Sequence, residues 1–269
     1  MSANIEHLDV QVGKSSYRYL AMGQGETLLL ALHGYGERCT IFHPLGKKLP
    51  AHYRLASIDL PVHGATDWKK RRFKPKDISE LLNAILTQEK REKCEVLGFS
   101  FGGRIALCMM EHCSDKISGL YLVAPDGVKV SGLYRVVQKF PDVFRRTMFR
   151  GAVNRYTLKL AETLFSRGWM NHHDFRFISS HFQKVARKRL FLYWMSMPFL
   201  EPDWQKAKRL IQEKNVKLDV FLATKDEVVP PAAGRMLTKD VDGANIVFLN
   251  ANHHQLKRAF LKRAEEYFK

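Results

Sequence analysis

Apolar residues recur along this chain in two patterns, short unbroken runs and helically spaced stripes, and the two alternate. Residues 7–12 and 16–22 read as two antiparallel strands. Gly23-Gln24-Gly25 then turns into a third, Thr27-Leu28-Leu29-Leu30-Ala31-Leu32, apolar throughout. A run of that kind suits a strand covered on both faces, as in a mainly parallel sheet. A helical segment is expected near 40–49 and a strand over 54–60. A helix over 77–90 carries Ile78, Leu81, Leu82, Ile85 and Leu86 at helical spacing, with Asp77 near its start. Next come an apolar strand that ends in Gly98-Phe99-Ser100-Phe101-Gly102, a helix to about Cys113 and a strand over 118–124. The C-terminal part repeats the alternation: helix 204–214, strand 216–223, helix 230–239, strand 245–250, helix 254–268. Alternation of this kind predicts an α/β fold with a doubly wound, mostly parallel sheet.

One segment breaks the pattern. From about Gly127 to Trp204 the chain is aromatic and basic with helical patterning, as in Arg187-Lys188-Arg189-Leu190-Phe191-Leu192-Tyr193-Trp194. The expected organisation is therefore a core domain from 1–126 and 205–269, interrupted by a helical cap over 127–204. Such an insertion is expected to cover the carboxyl edge of the sheet, where ligands bind in folds of this type.

Composition narrows the class. The chain has 269 residues, 45% of them hydrophobic, which is a globular composition with room for a sizeable core. No apolar run approaches the roughly 18 residues a membrane span needs. Met1-Ser2-Ala3-Asn4-Ile5-Glu6-His7 has neither the basic start nor the apolar block of a signal peptide. Cys39, Cys94, Cys108 and Cys113 lack C-x-x-C spacing and read as reduced thiols of a cytoplasmic protein. The net charge is +17, from 44 Lys and Arg against 27 Asp and Glu. Residues 129–203 hold fourteen of the basic residues and five of the acidic ones, so the excess is concentrated there. Such an excess attracts anionic substrates or partners, and it leaves a peripheral contact with an anionic membrane open. No nucleic-acid motif accompanies it, so nucleic acid is not an expected partner.

The chemistry centres on Gly98-Phe99-Ser100-Phe101-Gly102, where an apolar strand passes into the helical run from Arg104 to Met110. This is the G-x-S-x-G pattern in the context it requires, with Ser100 raised on a sharp strand-to-helix turn. A serine nucleophile needs a base, an acid to orient that base, and donors for the oxyanion. Asp226, just past the strand 216–223, is the expected acid, with Glu227 and Asp126 of Ala124-Pro125-Asp126-Gly127 as alternatives. Asn250-Ala251-Asn252-His253-His254 follows the last strand. His253 is the expected base and His254 the alternative, since neighbouring histidines cannot both face one serine. The backbone N–H groups of Tyr35, in His33-Gly34-Tyr35-Gly36-Glu37, and of Phe101 are candidates for the oxyanion hole. His33 and His63 read as loop braces. His172-His173-Asp174 lacks a third spaced ligand, so no metal is expected there.

Taken in order, His33-Gly34, Asp59-Leu60-Pro61-Val62-His63-Gly64, Gly98-Phe99-Ser100-Phe101-Gly102-Gly103, Asp226 with Val229-Pro230, and His253 resemble the α/β-hydrolase superfamily, specifically its capped serine hydrolase and esterase branch. The resemblance covers nearly the whole chain. It implies a Ser-Asp-His triad, a lid inserted after the sixth core strand, and no cofactor. The chain departs from the usual pattern at Val62, commonly glycine, at Phe99, often histidine, and at Asn250-Ala251-Asn252, where Gly-x-Gly is common. The expected activity is hydrolysis of a carboxylic ester or thioester through an acyl-enzyme, on a small molecule that is anionic or linked to an acyl carrier. Carbon–carbon bond hydrolysis, lyase or acyl-transfer chemistry on the same fold is one alternative. A non-catalytic binding module that uses the basic face is another.

Overall fold

The computed structural model describes residues 4–70, 72–128, 151–170, 200–226 and 228–269, with a few single positions between 172 and 179. The chain divides into two compact units, Met1–Lys129 with Phe199–Lys269, and Val130–Pro198. The first unit is built on eight strands: β1 (Ile5–Val12), β2 (Ser15–Met22), β3 (Thr27–Leu32), β4 (Tyr53–Ile58), β5 (Cys94–Phe99), β6 (Ile117–Val123), β7 (Lys217–Ala223) and β8 (Asn245–Leu249). They form one sheet in the order β1-β2-β4-β3-β5-β6-β7-β8. β1 and β2 pair with each other, and β2 with β4, antiparallel; every later pairing is parallel. In β3 the five residues Leu28–Leu32 are all buried, as a run covered on both faces requires.

Among the described residues the helices are α1 (His43–Gly46), α2 (Pro75–Gln88), α3 (Phe101–Cys113), α4 (Gly151–Ser166), α5 (Trp204–Glu213), α6 (Pro231–Thr238), α7 (His253–Lys262) and α8 (Ala264–Tyr267). α4 belongs to the second unit, where Phe165 stacks on Phe175 at 4.5 Å between ring centroids. The rest belong to the first. α3 is the central one: it packs on β5, β6 and β3 and against α2 and α5, and its first ten residues are buried.

Most element ends fall within two or three residues of the sequence expectation, and the differences have local causes. The helical segment expected near 40–49 is a 3-10 turn, Cys39–Phe42, followed by the single turn α1. The strand expected to reach residue 60 stops at Ile58, although Asp59 N–H still donates to Arg18 O on β2 (2.8 Å), and the Asp59 side chain ties the following loop. Its carboxylate accepts from the N–H groups of Cys39 (2.6 Å) and Ala65 (2.8 Å). The last helix starts one residue early, at His253, and breaks at Arg263 into α7 and α8. Its start is set by Asn252, whose side chain accepts from Gln255 N–H (3.0 Å), while the Gln255 side chain takes the Asn252 N–H (3.3 Å). That reciprocal pair is a capping box, which satisfies two backbone donors at the helix start.

Candidate active site

β5 ends at Phe99 and α3 begins at Phe101, so Ser100 must turn the chain alone. It does so at φ +50°, ψ −111°, outside the regions a side-chain-bearing residue prefers. Such strain costs on the order of 1–3 kcal/mol and persists only where neighbours enforce it. Here Ser100 N–H donates to Val123 O (2.8 Å), and Ser100 O accepts from the N–H groups of Gly103 (2.9 Å) and Asp126 (3.0 Å). Gly102 makes the turn possible, since a Cβ there would lie 2.0 Å from Leu32 O. The result is a half-buried hydroxyl at the carboxyl ends of β5 and β3, beside the start of α3. A helix start directs unpaired N–H groups and the positive end of the macrodipole at that point.

His253 is the first residue of α7. Its Nε2 lies 3.1 Å from Ser100 Oγ, and its Nδ1 lies 2.8 Å from Asp226 Oδ2. Because a carboxylate only accepts, Nδ1 carries the proton and Nε2 faces the serine as acceptor. The Asp226 side chain is fully buried and its other oxygen is occupied. Oδ1 accepts from the N–H groups of Val228 and Val229, both at 2.8 Å. Two backbone bonds tie the strand ends that carry this pair: Thr224 N–H to Leu249 O (3.0 Å) and Lys225 N–H to Ala251 O (3.1 Å). The Phe99 ring stacks on the His253 imidazole at 5.8 Å and 26°. Ser100, His253 and Asp226 thus form one continuous hydrogen-bonded chain.

The alternatives lie elsewhere. His254 is exposed, its ring 6.0 Å from that of His253 and nearly perpendicular to it. Asp126 binds Arg104 Nη2 (2.7 Å) and accepts from Gly127 N–H (2.7 Å). Glu227, His173 and Asp174 lie outside the described residues. No cluster of three metal-ligating side chains occurs among the described residues.

The loop after β3 is held by two buried histidines. His33 Nε2 accepts from Leu60 N–H (3.1 Å), which leaves Nδ1–H to donate to Gly34 O (2.7 Å). His63 Nε2 accepts from Gly36 N–H (3.0 Å), and its Nδ1–H donates to Pro61 O (3.0 Å). Burial pushes His33 down to about 3 and His63 down to about 4, so both are neutral at pH 7. Tyr35 sits inside the turn that Glu37 N–H closes onto Gly34 O (3.2 Å), and Phe101 is the first residue of α3. Val62, on the adjoining loop, has φ +59°, where a β-branched residue is strained.

A family model described as alpha/beta hydrolase fold matches residues 27–257, and the chain belongs to that family. Among its relatives is a pimeloyl-[acyl-carrier protein] methyl ester esterase of Neisseria meningitidis serogroup A. It is 23% identical over 248 residues, covering 88% of this chain and 72% of the relative. The enzyme of the same name from Pectobacterium atrosepticum is 29% identical over 138 residues. That match spans 48% of this chain and about half, 52%, of the relative's length. Among solved structures, the thioesterase domain from the curacin biosynthetic pathway superposes with a TM-score of 0.68 at 15% identity. It covers 99% of this chain and 100% of that one, a likeness of fold.

Proposed function

We propose that this chain is a serine hydrolase that cleaves a carboxylic ester or thioester, with Ser100 as nucleophile, His253 as base and Asp226 as orienting acid. One observation carries the reading: Ser100 Oγ, His253 and Asp226 stand in hydrogen-bonded sequence at 3.1 and 2.8 Å. In this mechanism Oγ attacks the carbonyl carbon while Nε2 of His253 takes its proton. Asp226 holds the imidazole in the required tautomer and stabilises the cation that forms. The tetrahedral oxyanion is held by the N–H groups of Tyr35 and Phe101, each donor lowering the barrier by a few kcal/mol. His253 then returns the proton to the departing alkoxide or thiolate, leaving an acyl-enzyme. Water, deprotonated by the same histidine, releases the carboxylic acid and restores the serine.

The proposed substrate is anionic or linked to an acyl carrier. The names of two relatives, esterases acting on a carrier-bound acyl chain, support this, as does the net charge of +17. In this reading the segment 127–204 supplies the cap that selects the acyl chain, and the reaction is cytoplasmic. A peripheral anionic-membrane contact of the basic segment would serve the same electrostatics. No helix among the described residues is long and apolar enough to cross a membrane. The test compares neutral short-chain esters, acyl thioesters and monoesters of dicarboxylic acids. A higher kcat/KM for the charged or carrier-linked series, with the gap shrinking as salt rises, is expected. Equal values across the panel would contradict the substrate assignment and leave the ester chemistry standing.

A further inference from the structure

The loop carrying Tyr35 and the helix carrying His253 come from opposite ends of the chain, yet one side-chain pair joins them. Lys257 Nζ donates to Glu37 Oε1, with both side chains about one-quarter exposed. The other oxygen of that carboxylate, Oε2, accepts from Gly34 N–H (3.0 Å), while Glu37 N–H donates to Gly34 O (3.2 Å). Glu37 therefore closes the turn around Tyr35 twice and spends its remaining oxygen on α7. Lys257 lies four residues after His253, on the same face of that helix. Its ammonium also stands 5.5 Å over the Phe99 ring, which stacks on His253. Gly34 completes the packing, since a Cβ there would come within 2.9 Å of the Phe99 ring and 3.0 Å of Glu37 Oε2.

We infer that Lys257 and Glu37 are positioning residues for the proposed reaction: they lock the oxyanion loop and the base helix into one register. Neither touches the reacting atoms. The inference rests on the serine hydrolase reading. The loop must hold its donor where charge develops in the transition state, while the helix must hold Nε2 on Ser100 Oγ. A strut between the two ties both distances together. Charged partners at this depth are screened less than surface pairs, and a displacement of about 1 Å at a catalytic group can cost on the order of a hundredfold in rate. The loss should fall on kcat, because the strut acts on transition-state geometry and not on the acyl pocket.

The experiment measures p-nitrophenyl ester hydrolysis and thermal unfolding for Lys257→Met, Lys257→Arg and Glu37→Gln, with Arg54→Met as the control. Arg54, at the start of β4, forms ion pairs with Glu89 (2.6 Å), just after α2, and Glu6 (2.7 Å), on β1, away from the elbow. Lys257→Met keeps the apolar stem over Phe99 and removes the ion pair. It should lower kcat about ten- to a hundredfold with KM within about twofold. Glu37→Gln, which can still accept from Gly34, should lose less, and Lys257→Arg should stay within about threefold of the parent. Affinity for a boronic acid that mimics the tetrahedral adduct should fall in step with kcat. Unchanged kcat in both Lys257→Met and Glu37→Gln would overturn the inference. So would a loss in Arg54→Met of the same size for the same drop in melting temperature. If Lys257→Met does not fold, Glu37→Gln and Lys257→Arg decide the matter alone. Failure of the hydrolase reading looks different: the parent protein itself would turn over no ester.

Discussion

His33 and His63 near the candidate site, and His253 within it, set the same imidazole in opposite surroundings. Each ring of the first pair has both nitrogens on backbone groups, one accepting an N–H and one donating to a carbonyl. Burial holds both neutral, and their protons have nowhere to go. His253 faces two side chains, a hydroxyl and a buried carboxylate, so its ring can gain a proton from one and be stabilised by the other. An imidazole whose two nitrogens are saturated by backbone is suited to brace a loop, and one that faces a hydroxyl and a carboxylate is suited to pass a proton.

The largest way to break that comparison is at the moving proton. Ser100→Ala and His253→Ala should each reduce kcat by about 10⁴- to 10⁶-fold, and Asp226→Asn by about 10⁴-fold. His254→Ala should stay within about twofold, as its exposed ring predicts. Steady-state hydrolysis of a p-nitrophenyl ester reads all four. If His254→Ala fell as far as His253→Ala, the division of labour drawn here would be wrong.

The braces should fail through stability. The folded-state values of His33 and His63 lie below the ordinary 6.5, so the unfolded chain binds protons first as pH drops. Stability is then complete above pH 6.5 and is lost as the pH falls toward 4 for His63 and 3 for His33. Within that window each histidine removes up to about 1.4 kcal/mol per pH unit. Urea unfolding at pH 7, 5.5 and 4.5 measures the slope, and His63→Phe should flatten it. An unchanged slope in that variant would remove His63 from the account. The smallest expected effect is at Val62. Glycine tolerates its φ of +59° without the cost a β-branched side chain bears there, so Val62→Gly should raise stability by about 0.5–1 kcal/mol in the same assay.

The sequence carried the sheet and the triad candidates because their signals are local. β3 shows its two-sided burial as an unbroken apolar run, and the sharp turn at Ser100 shows through the strand and helix that flank it. Asp226 and His253 stood out as candidates from their places just after strands, and the structure puts them in hydrogen-bonded contact. The selection between His253 and His254 also had a local signal: Asn252 and Gln255 are spaced as a capping box, which makes His253 the first helical residue. The helical segment after Glu37 is legible, but apolar residues over so few positions do not separate a 3-10 turn from an α-helix. The Glu37–Lys257 contact spans 220 residues and leaves no periodic trace. Only the position of Lys257 one turn after His253 hinted that it faces the site.

Whether Ser100 and His253 act as one proton-transferring unit is decided by mapping a fluorophosphonate adduct by mass spectrometry. One adduct per chain on Ser100 is predicted, absent in Ser100→Ala, formed at the parent rate in His254→Ala and at least about a thousandfold more slowly in His253→Ala. An adduct on another residue, or undiminished labelling of His253→Ala, would contradict it.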